Sequence, residues 1–176
     1  VTTISVDTGE SVADLVTVLA AKTIAKAANV AVTIDDAISA IQANTIAKLT
    51  AGVVTATVAD ASASYLNSTL KDAKATDALT LTVIGTTATA ADLNALDAKT
   101  KEVITVKATK IEGTLADLNK VFVDVVTSAH FDTTSTNIKN VNITDKTVTV
   151  AQVNAITSET TGVVTATVAA ATAATL

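Results

Sequence analysis

The sequence predicts an α/β repeat, a right-handed β-solenoid with a parallel sheet on one face and short helices on the other. Three observations predict it. The octapeptide Gly52-Val53-Val54-Thr55-Ala56-Thr57-Val58-Ala59 recurs unchanged from Gly162 to Ala169. Ala91-Asp92-Leu93-Asn94 recurs as Ala116-Asp117-Leu118-Asn119, and Thr23-Ile24-Ala25-Lys26 as Thr45-Ile46-Ala47-Lys48. Between these matches, short alternating β-rich runs give way to apolar residues at helical spacing, which is the mark of one stacked supersecondary unit.

The strand runs come first in each unit: Val1–Val6, Val30–Thr33, Val53–Val58, Leu79–Ile84, Val103–Ala108, Val141–Thr144 and Val163–Val168. Side chains alternate faces along a strand. Val54, Ala56 and Val58 therefore oppose Thr55 and Thr57, Leu79, Leu81 and Val83 oppose Thr80 and Thr82, and Ile104 and Val106 oppose Thr105 and Lys107. Val164, Ala166 and Val168 oppose Thr165 and Thr167 in the same way. One face is apolar and the other is rich in threonine.

Each run leads to a hydroxyl residue placed to cap a helix: Ser11, Thr33, Ser62, Thr89, Thr114, Thr149 and Thr172. Three residues later stand Asp14, Asp36, Tyr65, Asp92, Asp117, Gln152 and Thr175. A hydroxyl followed at that distance by an acid or Gln is the capping-box pattern, in which the cap oxygen takes an orphan amide and the return side chain reaches back. An apolar anchor follows one residue on: Leu15, Ala37, Leu66, Leu93, Leu118, Val153 or Leu176. A second anchor, such as Val18, Leu96, Val121 or Ile156, shares the helix face. In the second unit Ile38 and Ile41 are shifted by one place.

A helix of roughly two to three turns does not form alone in water, so stacking must bury it. Most units run to about the low or middle twenties in length, close to leucine-rich repeats. The expected organisation is a single solenoid over 1–176 with about seven units, the last incomplete at Leu176. Residues 1–52 read as divergent or capping units, and 122–140 as an insertion within one unit. The insertion holds both phenylalanines and the sole histidine, His130, followed by Phe131 and Asp132. Insertions in repeats map to loops on one face and often bind, though a lengthened helix with a polar return loop is the plainer reading.

Composition narrows function. Apolar residues make up 49% of the 176, aromatics only 2%, and the net charge is −5. No cysteine is present, which removes disulfides and thiolate metal sites. The basic residues are lysines scattered singly, unlike the clustered charge that nucleic acid requires. No apolar run is long enough to span a bilayer. Val1 in place of Met, and Leu176 at the first anchor of a helix, suggest a chain processed or cut from something longer.

The stretch Gly85-Thr86-Thr87-Ala88-Thr89-Ala90-Ala91-Asp92-Leu93-Asn94-Ala95-Leu96-Asp97-Ala98-Lys99-Thr100 resembles the repeat of very large bacterial surface or secreted β-strand-repeat proteins, common in cyanobacteria. The resemblance is best over 52–119 and 141–176. It implies a structural extracellular or cell-surface role as filament, surface layer or adhesin stalk. The implied partners are further copies of the chain or neighbouring repeats.

Chemistry is sparse. Neither a nucleophile elbow nor a phosphate or dinucleotide loop occurs, and His130 has no evident catalytic partner, so no enzyme is expected. Asp92 and Asp117 read as capping residues rather than a glycosidase pair. No cofactor is expected, and a weak calcium site would fall to Asp7-Thr8-Gly9-Glu10 or to Asp72 and Asp77. Asn67, Asn94, Asn119 and Asn154 recur one place after the first anchor and read as a polar ladder between units. The alternative function is binding of glycan or another surface. Its candidate face is Thr55, Thr57, Thr80, Thr82, Thr105, Lys107, Thr165 and Thr167, together with the insertion. Paired threonines on a flat sheet also suit ice binding, although strands favour threonine anyway.

Overall fold

A computed structural model describes residues 3–7, 9, 11–22, 27–124, 128–133 and 140–170. The chain is a mixed α/β protein with open parallel sheets and, among the described residues, six helices. In chain order the elements are β1 (Thr3–Val6), α1 (Val12–Ala20), β2 (Ala31–Ile34), α2 (Ala40–Leu49), β3 (Val54–Thr57) and α3 (Ala63–Thr69). Then come β4 (Ala78–Thr80), β5 (Thr82–Val83), β6 (Thr87–Thr89), α4 (Ala90–Asp97), β7 (Ile104–Val106), β8 (Lys110–Gly113) and α5 (Leu115–Phe122). A 3-10 turn at Ser128–His130 precedes β9 (Phe131–Asp132), β10 (Asn140–Ile143), α6 (Val150–Thr157) and β11 (Val164–Thr165).

Strands pair across units, never within one, and every pairing among the described residues is parallel. One sheet runs β1-β2-β3-β4, another β5-β7-β9, and a third β6-β8-β10-β11. Register follows the apolar side chains. Ile4 lies beside Val32 and Val32 beside Val54, Ala56 lies beside Leu79, and Val83 beside Val106. In the third sheet Ala88 lies beside Ile111, Ile111 beside Val141, and Val141 beside Val164. Slipping by one residue would turn these rows out to solvent, so the pattern holds the register.

The middle units carry two or three short strands before the helix where the sequence pattern predicts one. The run Leu79–Ile84 is broken into β4 and β5, and the chain turns a corner at Gly85, whose φ of 122° suits glycine. Beyond it β6 begins a second row, in which Ala88 and, one unit later, Ile111 point into the core. Each consecutive helix pair from α1 to α6 is in contact. The buried side chains form one apolar cluster reaching from Val6 to Ile156. Its largest fully buried side chains are Leu and Ile, with Ala40, Ala43, Ala63 and Ala90 letting strand and helix backbones approach closely.

Most anchors lie where the spacing places them: Leu15, Leu66, Leu93, Leu96, Leu118, Val121 and Ile156 are buried. The first two units depart. Val18 is exposed while Leu19 is buried. Thr33 is a β2 residue and caps nothing, because its flanking Val32 and Ile34 alternate inward as a strand. The cap of α2 is Ser39. From Ser39 the helix phase becomes regular: Ala43 and Ile46 are fully buried, while Ile41 lies 61% exposed on the far face. Gly52 is fixed by close approach, since a Cβ there would meet the Val30 carbonyl oxygen at 2.2 Å.

Candidate functional site: polar columns between the units

The helix caps form the first column. Ser11, Ser62, Thr89, Thr114 and Thr149 each hold extended backbone at a helix start and accept from the amide three residues on. The return side chain then behaves according to its length. Gln152 Oε1 accepts from the Thr149 amide at 2.8 Å, and Gln42 Oε1 from the Ser39 amide at 3.0 Å, so these two caps are full capping boxes. Aspartate is one methylene shorter. Asp92 and Asp117 instead accept from the cap hydroxyls of Thr89 and Thr114, each at 2.8 Å. The expectation that they reach the cap amide is corrected accordingly. Asp14 contributes only its amide, 3.3 Å from Ser11 Oγ.

Asp36, expected in the same role, serves the preceding unit. Its Oδ2 accepts from the Gly9 amide at 2.8 Å, 27 residues earlier. Asp145 sits at the same place after β10, and its Oδ2 accepts from the Leu115 amide at the start of α5, at 2.6 Å. Both acids follow a strand and satisfy a free amide near the helix start of the unit before.

The asparagine column ties three of the helices to the unit that follows. Asn67 Nδ2 donates to Asp92 Oδ1 at 3.0 Å, and Asn94 Nδ2 donates to the Asp117 carbonyl oxygen at 3.1 Å, with Oδ1 at 3.5 Å. With Ser39 as the cap, Asn44 joins the column five residues on, as Asn67 follows Ser62. Asn44 Nδ2 donates to Asp72 Oδ2 at 2.9 Å, and its Oδ1 accepts from the Asp72 amide at 2.7 Å. Asn119 and Asn154 occupy the same helix position, but their side chains make no hydrogen bond to a described residue.

A third column was not foreseen. The only buried polar residues among those described are Thr50, Asp77 and Thr100, all between a helix and the following strand. Thr100 Oγ1 donates to the Leu79 carbonyl at 2.8 Å and accepts from the amides of Leu79 at 3.0 Å and Glu102 at 3.1 Å. Thr50 Oγ1 donates to the Val30 carbonyl and accepts from the Gly52 amide at 2.9 Å. Asp77 accepts from the Val54 amide at 3.0 Å and the Lys74 amide at 2.9 Å. Lys74 Nζ in turn donates to the carbonyls of Ala47 and Thr50 at the end of α2, where a cation complements the helix terminus. Thr160 repeats the local part of the motif, accepting from the Gly162 amide at 3.1 Å. The available signal was a threonine two residues before each copy of the octapeptide, Thr50 and Thr160.

The threonine face is not one surface. Thr57 lies beside Thr80, and Thr82 beside Thr105, but Thr55 lies beside the buried Ala78 and Thr105 beside Asp132. Thr165 belongs to the third sheet, beside Asn142, with Thr167 just beyond β11. Lys107 Nζ sits 3.8 Å from Asp60, both half exposed. The described part of the insertion is also tied down, residues 125–127 and 134–139 lying outside the described residues. Phe131 is buried beside Ile104, and Asp132 is a β9 residue. His130 does have a partner, contrary to expectation: its Nδ1 lies 2.6 Å from Asp97 Oδ1 at the end of α4.

Asp72 and Asp77, the carboxylates considered for calcium, face amide donors. Among the described residues no group of three or more His, Cys, Asp or Glu could hold a metal ion. No described helix is long and apolar enough to cross a membrane. Thr8 and Glu10, and the cap, return and anchor expected at Thr172, Thr175 and Leu176, lie outside the described residues. Comparison of the chain with protein-family models, curated proteins and solved structures finds no match.

Proposed function

We propose that the chain is a leucine-rich-repeat-like β-solenoid segment with a structural role outside the cell or on its surface, extended by stacking copies or neighbouring repeats end to end. One observation carries the reading. The recurrent polar residues hold one unit to the next rather than facing a common cleft: Asn67 to Asp92, Asn94 to Asp117, Thr100 to Leu79 and Asp77 to Val54. Such a column can be lengthened by repetition without a new kind of contact, which is the basis of solenoid stability.

The surface location rests on the resemblance to bacterial surface and secreted repeats. The filament form rests on the outermost strands, since β1 pairs with β2 alone and β11 with β10 alone among the described residues. Strand edges of this kind template further pairing. No specific observation favours glycan or ice binding: the threonine ranks are broken at Ala78, and Phe131 of the insertion is buried.

Light scattering and electron microscopy of the purified chain test the proposal. Growth into elongated particles as concentration rises is expected. A strictly monomeric solution at high concentration rejects filament assembly and confines the stacking to repeats of one longer chain.

A further inference from the structure

We infer that the outer edge of β1 is the docking surface for β11 and its continuation to Val168 of a second copy, in the register by which β4 sits on β3; this rests on the stacking role proposed above. The observation is that the two copies of the octapeptide make the same contacts on their inner side. Val53 O accepts from the Val32 amide and Thr57 O from the Ile38 amide, each at 2.9 Å. Val163 O accepts from the Val141 amide and Thr167 O from the Val148 amide, again at 2.9 Å. Ala59 and Ala169 donate to Ile38 and Val148, each at 2.8 Å.

The outer side of the first copy is covered by β4. There the Val58 amide donates to Thr80 O at 3.1 Å, Ala56 lies beside Leu79 and Thr57 beside Thr80. The outer side of the second copy has no strand partner among the described residues. Its inward row is correspondingly less buried: Val168 is 43% exposed, whereas Val58, its counterpart, is 2% exposed.

β1 has the parity of β4. Successive residues of a parallel strand direct their amides and carbonyls to opposite neighbours. Val6 O accepts from the Asp35 amide on the β2 side, so the main-chain groups of Thr3 and Ser5 face the open edge. Ile4 and Val6 turn inward, as Leu79 and Leu81 do around β4, while Thr3 and Ser5 are exposed. Between β1 and α1 lies a groove of about 340 Å³ lined by Ile4, Val6, Ser11, Asp14, Leu15 and Val18. The register of β3 on β4 carries Ala166 beside Ile4 and Thr167 beside Ser5. Ala166 and Val168 then enter the groove, and the two strands run parallel, as do the other pairs among the described residues. This head-to-tail contact is heterologous, so it propagates wherever the rotation between copies does not close a ring.

The absence of cysteine allows a direct test. Adjacent strands lie about 4.8 Å apart, within disulfide reach. Ser5→Cys and Thr167→Cys chains, both altered at exposed positions, are mixed under mild oxidation. A chain with Ser64→Cys, an exposed α3 position, replaces the Ser5→Cys chain in the control. Circular dichroism verifies that each variant is folded. Preferential joining of Ser5→Cys to Thr167→Cys, about tenfold over the control, is expected. Cross-linking no faster than the control, or dominated by Ser5→Cys pairing with itself, overturns the inference. If the unmodified chain grows in light scattering while this cross-link fails, the docking surface is wrong and assembly stands. If it neither grows nor cross-links, self-assembly falls as well.

Discussion

Asn67 reaches from one helix to the next and donates to the carboxylate of Asp92, 3.0 Å away and 25 residues later in the chain. The other oxygen of that carboxylate accepts from the Thr89 hydroxyl, and Thr89 Oγ1 accepts from the Asp92 amide at 3.0 Å. One side chain therefore joins a helix cap to the contact between units. An Asn67→Ala, Asp92→Ala double-mutant cycle in urea unfolding should give a coupling of about 0.5–1.5 kcal/mol. Additive losses would remove the bond from the stability of the stack.

The cap of α2 separates the two candidate hydroxyls. Ser39→Ala should cost about 1 kcal/mol, the usual loss for an N-cap oxygen. Thr33→Val, at a half-buried strand position, should change stability by less than about 0.5 kcal/mol. Equal losses in thermal unfolding would return Thr33 to consideration.

Asp77 is fully buried and accepts from two amides in different turns of the chain. Asp77→Ala leaves both without an acceptor, at about 1–3 kcal/mol for the buried Val54 amide and less for the part-buried Lys74 amide. Asp77→Asn keeps one acceptor oxygen and should lose less. Amide exchange at Val54 and Lys74 reports the effect locally, and unchanged protection in Asp77→Ala would show that the carboxylate does not hold them.

Gly52→Ala places a methyl group against main chain, not against a movable side chain. The backbone of one unit must shift away from the other, at about 1–3 kcal/mol or more. A midpoint of urea unfolding equal to that of the unmodified chain would mean that the Gly52–Val30 approach is looser than described.

The caps and the strand faces were legible because both follow local rules. A hydroxyl before an acid and a Leu, as at Thr89-Ala90-Ala91-Asp92-Leu93, leaves little freedom, and alternation identifies Val54, Ala56 and Val58 as inward. Ser39 was missed because Thr33 precedes Asp35 and Asp36, which imitate a helix start, while the exposed Ile41 suggests the wrong phase. That one error also hid Asn44 from its column. The corner at Gly85, and with it the second row of strands, depends on how successive units stack, and no local signal sets it apart from an ordinary turn. The buried column was hidden for another reason. Thr50 and Thr100 are two threonines among many, and the residue between them is an aspartate, so only their shared burial relates the three.

The central claim is that these units stack beyond a single chain. Light scattering of the purified protein over a wide range of concentration measures it most directly. The particle mass should rise steadily above that of the monomer, and Ala166→Pro, which removes an amide from the open side just beyond β11, should reduce the rise. A mass fixed at the monomer value up to the highest soluble concentration would contradict the claim.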